Sequence, residues 1–127
     1  MCVDRYLVFF FIFVVISSPK QTLAETKLGE TKLVPGIHLI FEAAPRDSIY
    51  PAEAHLTAGE ADFHLEMLAT WNDDAPEGFP VGGHVPYLVV SAKILNEQTK
   101  DTVLVELTPH LNLVDGFHYA RNIKLPG

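Results

Sequence analysis

The sequence has 127 residues, a mass of 14.1 kDa and a formal net charge of −7. This length suits a single domain, and the apolar share of 48% argues against a disordered chain. The excess of carboxylates, with no basic run to offset it, repels phosphate backbones and argues against nucleic-acid binding.

Residues 1–24 are predicted to form a secretory signal peptide. A short start with one basic residue, Arg5, precedes 13 nearly all-apolar residues at 6–18, and Thr22 and Ala24 follow. A membrane span needs about 20 apolar residues, whereas a signal peptide has a shorter apolar region before a small-residue cleavage site. We expect cleavage between Ala24 and Glu25; the alternative is an uncleaved N-terminal anchor.

Cleavage would leave residues 25–127 as the mature domain and remove Cys2, the single cysteine of the chain. The mature net charge would be −8. Without a thiolate, a metal site in this domain must use histidine, carboxylate, methionine or backbone oxygen as ligands.

The mature chain shows a pattern of short strands. Residues 25–35 are polar and predict a leader strand or a loose arm. Strands are predicted at 36–43, 61–71, 86–95, 102–108 and 118–125, with Pro/Gly-rich loops at 45–51 and 72–83 and a hairpin turn at 96–101. The fold class is therefore all-β, an antiparallel β-sandwich. Residues 61–71 alternate most clearly, and Met67 lies on their apolar face, where packing is its expected role.

Six histidines remain in the mature chain, and three lie in suggestive settings. His64 and Glu66 leave one strand face with Cα atoms about 7 Å apart, close enough to share a metal ion. His110 follows Pro109 at a predicted strand end, and His118 follows a glycine turn. Imidazole with carboxylate suits Cu(II), Fe(II) or Zn(II). The alternative is that these side chains belong to an ordinary solvated strand face or to surface turns.

The other histidines, at positions 38, 55 and 84, are expected to be exposed or to lie in loops. The sequence contains no G-x-S-x-G, H-E-x-x-H, P-loop or C-x-x-C motif. Nucleophilic catalysis therefore has no support, and the chain is not expected to be an enzyme.

Three blocks in order carry a resemblance that covers roughly residues 32–127. They read ADFHLE at 61–66, PYL at 86–88 and DGFHYARNIKLPG at 115–127. Their order and spacing resemble the bacterial periplasmic iron-transport protein family, which comprises copper-containing, Ig-like proteins of high-affinity ferrous iron uptake. The resemblance implies an Ig-like sandwich, a periplasmic location, a homodimer with a metal site near its interface, copper and iron as metals, and an inner-membrane iron permease as partner.

The resemblance also implies metal ligands. The family's H-x-E pair and its last histidine correspond to His64, Glu66 and His118. Where the family has a methionine in an M-P-M block, aligning the prolines places His110. Exchanging a thioether for an imidazole would weaken the preference for Cu(I) and favour Cu(II) or Zn(II).

Family members continue past the L-P-G block with further strands and another histidine, so we expect this chain to be a fragment or truncated product that lacks C-terminal strands of the sandwich; the alternative is that another chain covers the gap. Four functions follow as hypotheses. The first is a periplasmic accessory protein that binds copper and ferrous iron and passes iron toward a permease. The others are a copper buffer without an iron role, a cuproprotein that oxidises ferrous iron, and an inactive truncated sandwich.

Export is directly testable. We expect N-terminal sequencing of protein recovered from the extracytoplasmic fraction to begin at Glu25, because the small residues Thr22 and Ala24 precede that bond. A membrane-held protein that begins at Met1 would contradict the cleavage prediction.

Overall fold

The computed structural model describes residues 25–112 and 115–127, and the predicted signal peptide at 1–24 lies outside these ranges. Six strands and one short 3-10 turn, Ala52–Ala54, make up the regular structure. The strands are β1 (Thr26–Leu33), β2 (Ile37–Ala44), β3 (Phe63–Trp71), β4 (Val90–Leu95), β5 (Thr102–Asn112) and β6 (Gly116–Ile123). Within these ranges, no helix has the length and apolar character needed to traverse a bilayer.

The six strands form one curled antiparallel sheet in the order β1-β2-β3-β6-β5-β4. Strands β3 and β6 lie at its centre, where they pair from Phe63 opposite Ile123 to Met67 opposite Tyr119. The prediction of an all-β antiparallel fold is confirmed, and within residues 25–35 the segment Thr26–Leu33 is a strand, which is the first of the two predicted alternatives.

Two strand boundaries differ from the prediction by four residues, and the others lie within two residues of it. The strand expected at 86–95 begins only at Val90, since Tyr87 has a φ of +63° and breaks the extended backbone. The strand expected to end at Thr108 continues through Pro109 to Asn112. Strand β4 pairs only with residues 102–107. Beyond that point one side of β5 has no ladder with β4, and a proline is tolerated there.

The apolar face of β3 forms the centre of the core. Met67 is 3% exposed and Ala69 is fully buried, which confirms packing as the role of Met67. The remaining buried members of this cluster are Leu39, Leu65, Val85, Leu107, Tyr119 and Ile123. The other face of β3 carries His64 and Glu66.

Tyr119 joins the core to the loop before β4. Its hydroxyl donates to the carbonyl oxygen of Val85 at 2.8 Å and accepts from the backbone N–H of Leu88 at 3.0 Å. We expect Tyr119→Phe to lower the free energy of unfolding by about 1–3 kcal/mol, because two buried backbone groups lose their partner. Urea unfolding measures this, with Tyr87→Phe as control, since Tyr87 is 97% exposed. Equal stability of the two variants would contradict the prediction.

Candidate metal centre

Strand register assembles the predicted ligands on the polar face of the sheet. His64 and Glu66 share this face of β3, and Glu66 lies opposite Ala120 on the adjacent β6. His118 of β6 lies opposite His110 of β5. The small side chain of Ala120 leaves room above the sheet, so that the histidines from three neighbouring strands can approach one another.

Strands β5 and β6 pair up to their adjoining ends. Gly116 has a φ of +74°, a left-handed conformation that favours glycine. It begins β6 and pairs with Asn112, the last residue of β5. This pairing places His110 opposite His118, whereas the sequence pattern had left both residues open to a surface or turn role.

The structure brings the four predicted ligands into one cluster. Three of them, His64, His110 and His118, each offer a ring nitrogen, and these nitrogens lie within 4.8 Å of one another. The closest rings are those of His110 and His118, with centroids 4.1 Å apart. The Oε1 atom of Glu66 lies 3.5 Å from Nε2 of His64 and 3.8 Å from Nε2 of His118. This spacing suits a shared ion, but the role of these residues as ligands stays a prediction.

The cluster is not a solvated strand face. His64 is 1% exposed, Glu66 is 3% exposed and His118 is fully buried. The segment 45–62 is hydrogen-bonded to this side of the sheet through Asn122, which explains why both faces of β3 are covered. The interpretation of His64 and Glu66 as ordinary exposed residues is therefore wrong.

Hydrogen bonds fix the tautomers of two histidines. Nδ1 of His118 lies 3.0 Å from the carbonyl oxygen of Gly116, and Nδ1 of His64 lies 2.9 Å from Oδ1 of Asn122. Both oxygens accept, so each Nδ1 carries the proton and donates. In the neutral form of each ring, the lone pair is therefore on Nε2, which lies toward Oε1 of Glu66, and this is the form that binds metal.

Several buried polar atoms of the cluster lack hydrogen-bond partners among the described residues. These atoms are Nε2 of His64, Nε2 of His118, both ring nitrogens of His110 and Oε2 of Glu66. Buried polar atoms without partners are costly and require an explanation. A metal ion bound by these atoms would satisfy them, so the residues present fit a metal.

The electrostatics of the cluster favour neutral imidazoles. Burial lowers the pKa of His64, and burial with the neighbouring His118 and His64 lowers the pKa of His110 to about 4. Burial, together with the charges of Glu25 and Asp115, raises the pKa of Glu66 to about 7. At neutral pH these imidazoles are therefore in the unprotonated form that a metal requires.

A second group of possible ligands adjoins the first and shares Glu66 with it. Carboxylate oxygens of Glu25, Glu66 and Asp115 lie within 4.8 Å of one another. They line a cavity of about 240 Å³ whose other walls are Ala44, Pro45, Arg46 and Asp47. Sequence analysis missed Glu25 and Asp115. The D-G-x-H-Y block contains Asp115, but nothing in the pattern of residues 25–35 pointed to Glu25.

The remaining histidines lie outside both groups. His38 contacts Glu30, with Nε2 and Oε2 3.0 Å apart. His55 follows the 3-10 turn, and His84 stacks on Tyr119 with ring centroids 5.4 Å apart. His55 and His84 lie between strands, as predicted.

A six-stranded antiparallel β-fold with a buried cluster of three histidines and a glutamate defines a candidate metal-binding β-sandwich protein. The family model described as Fe2+ transport protein matches residues 22–127. The chain belongs to this family, which confirms the resemblance seen in the sequence.

Solved structures share the fold, and several of them are copper-bound. A copper-bound variant of P19 from Campylobacter jejuni is 30% identical, with a TM-score of 0.71, and the match covers 79% of this chain and 63% of that one. FetP of uropathogenic Escherichia coli strain F11, recombinantly expressed in the periplasm of E. coli BL21(DE3), is 28% identical with a TM-score of 0.72. This match covers 83% of this chain and 68% of that one.

Curated relatives carry no functional name. A UPF0423 protein of Brucella abortus is 30% identical over 105 residues, and a UPF0423 protein of Brucella suis matches equally well. These matches cover 81% of this chain and 56% of each relative. The chain thus spans little more than half the length of the curated relatives it matches.

The buried carboxyl of Glu66 allows a stability prediction for the metal-free protein. Its folded pKa of about 7 lies above the ordinary value of 4.5, so its stabilising contribution is complete below pH 4.5 and is lost as pH rises through 7. We expect Glu66→Gln to be more stable than the parent by about 1–3 kcal/mol at pH 8, and the difference to shrink below pH 5.

Chemical unfolding of both proteins in the presence of a chelator, at pH 8 and pH 4.5, measures this effect. Glu77→Gln is the control, because Glu77 is an exposed turn residue, whereas the nearby charge of Glu42 itself helps to raise the pKa of Glu66. A Glu66→Gln protein less stable than the parent at pH 8 would contradict the prediction.

Proposed function

We propose that this protein is a periplasmic metal-binding accessory protein of high-affinity iron uptake, which binds copper and ferrous iron and passes iron toward a membrane permease. The observation that carries the proposal is the convergence of His64, Glu66, His110 and His118 in one buried cluster with unpartnered ligand atoms. Membership of the Fe2+ transport protein family supports the iron-transport part.

Copper fits the histidine side of the cluster. Imidazole nitrogens suit copper and zinc, and a carboxylate beside them suits Cu(II) better than Cu(I). Since His110 stands where the family is expected to have a methionine, this site has four nitrogen or oxygen donors and no sulfur. The copper-bound structures of P19 support copper as the metal.

Ferrous iron fits the carboxylate side. Glu25, Glu66 and Asp115 offer hard oxygen donors around a cavity of about 240 Å³. Glu66 has Oε1 toward the histidines, while Oε2 is buried without a partner. We therefore assign copper to the histidines, ferrous iron to the carboxylates and a bridging position to Glu66.

The remaining parts of the proposal concern assembly and location. Residues 1–24 would direct export, and their cleavage would release the domain into the periplasm, where a homodimer would hold the metal near its interface and donate iron to an inner-membrane permease. The family's description as a transport protein favours this role over catalysis.

Two alternatives give different experimental results. A copper buffer would bind Cu(II) but show no saturable site for Fe(II) or for Mn(II) as its air-stable substitute. A cuproprotein oxidase would consume oxygen with Fe(II) over many turnovers, whereas a carrier would not. The carboxylate group beside the histidines favours a second, harder metal ion and thus the transport role over buffering.

The copper site is tested by alanine variants. We expect His64→Ala and His118→Ala each to weaken Cu(II) binding by more than roughly 100-fold, because each removes a proposed direct ligand. Loss of a residue that only hydrogen-bonds to a ligand typically weakens binding by roughly 10–100-fold. Calorimetric titration at pH 7.5 measures the affinity. His38→Ala and His55→Ala are matched controls and should bind as the parent does. Copper binding by His64→Ala at parental affinity would refute the site assignment.

The carboxylate site is tested separately. We expect Asp115→Asn to weaken Mn(II) binding by roughly tenfold or more, since a neutral amide replaces one of three carboxylates, while Cu(II) affinity changes little. Titration of both metals with the same variant gives the comparison, and Asp101→Asn in the β4–β5 turn is the control. Equal losses for the two metals would contradict the assignment of separate sites.

A further inference from the structure

Asn122 links a predicted ligand to the segment that covers it. It is 1% exposed and lies on β6 directly opposite His64 of β3. Its Oδ1 accepts from Nδ1 of His64 at 2.9 Å and from the backbone N–H of Asp47 at 3.3 Å. Its Nδ2 donates to the carbonyl oxygens of Asp47 at 2.7 Å and Leu56 at 2.8 Å. Two acceptor and two donor positions of the carboxamide are thus all used.

These four contacts fix the orientation of the amide. The carbonyl oxygens of Asp47 and Leu56 only accept, so both N–H groups of Asn122 must face them and Oδ1 must face His64. An oxygen at 2.9 Å from Nδ1 requires a proton on that nitrogen. The opposite tautomer would set two acceptors against each other and place a proton on Nε2, inside the cluster.

We propose that Asn122 is a positioning residue for the metal centre. It holds His64 as the Nδ1–H tautomer, so that the lone pair of Nε2 faces Glu66 and the metal. It also anchors the covering segment 45–62 at the same point. The inference rests on the proposed role of His64 as a ligand. A carboxylate here could also accept from Nδ1, but it has no N–H to hold Asp47 and Leu56.

The first test needs no metal. Two-dimensional 15N NMR of the histidine rings in the metal-free parent protein at pH 7.5 distinguishes a protonated from an unprotonated ring nitrogen. We expect His64 to be the Nδ1–H tautomer, with an unprotonated Nε2. A dominant Nε2–H tautomer, or two tautomers in comparable amounts, would overturn the proposal.

The second test separates positioning of the ring from anchoring of the segment. Asn122→Asp keeps an oxygen toward His64 and loses both donors, whereas Asn122→Ala loses all four contacts. We expect Asn122→Asp to keep the Nδ1–H tautomer, and Asn122→Ala to show mixed tautomers and Cu(II) affinity lower by roughly 10–100-fold. Asn122→Asp should bind Cu(II) at least about tenfold more tightly than Asn122→Ala. Equal losses in both variants would indicate a purely structural anchor and overturn the proposal.

Asn96→Ala is the matched control for general destabilisation. The Asn96 carboxamide in the β4–β5 turn donates to the carbonyl oxygen of Pro126 at 2.9 Å and accepts from the backbone N–H groups of Gln98 and Thr99. This variant should lose stability and keep its Cu(II) affinity. If Asn122→Ala does not fold, the parent spectrum and Asn122→Asp still decide the proposal. A parent with the expected tautomer but no Cu(II) binding would refute the proposed function and support the positioning of His64.

Discussion

The register among β3, β6 and β5 is the constraint on which the candidate metal centre depends. Side chains alternate between the two faces of a strand, so a slip of one residue would move His118 to the core side and Tyr119 to the polar side. Tyr119 opposes Met67 in the core and has both hydroxyl hydrogen bonds satisfied. Core packing therefore sets the register, and the register brings the ligands together.

The cluster lowers the stability of the metal-free fold, and the same feature leaves its atoms available to bind a metal ion. Buried nitrogens and a buried carboxyl that have no hydrogen-bond partner among the described residues oppose folding. The same atoms are free to bind an incoming ion without first breaking a hydrogen bond to one of those residues. His64 and His118 are held in one tautomer by hydrogen bonds, whereas the ring nitrogens of His110 have no partner of good geometry among the described residues. The candidate site thus combines two orientated imidazoles with one that is less constrained by hydrogen bonds.

The sequence predicted the strands well, because alternation of apolar residues reports directly on a pleated sheet. It also selected all four residues of the cluster, through the H-x-E pair and the family resemblance. Burial of His64 was not predictable from β3 alone, since the segment 45–62 and Asn122 supply the cover. Glu25 and Asp115 were missed for the same reason: their proximity to Glu66 depends on how distant segments meet, which a local pattern does not report.

Because β6 is packed on both faces, a packing defect on one side of the sheet affects the other side. His118 and Tyr119 are neighbours in the chain and point to opposite sides of one strand, with both side chains fully buried. A strand packed tightly on both sides has little freedom to shift toward either, because close-packed interiors transmit strain rather than absorb it. A misfit among the apolar residues on one face of the sheet would thus displace an imidazole on the other face, and the geometry of the candidate metal centre depends on side chains that lie outside it.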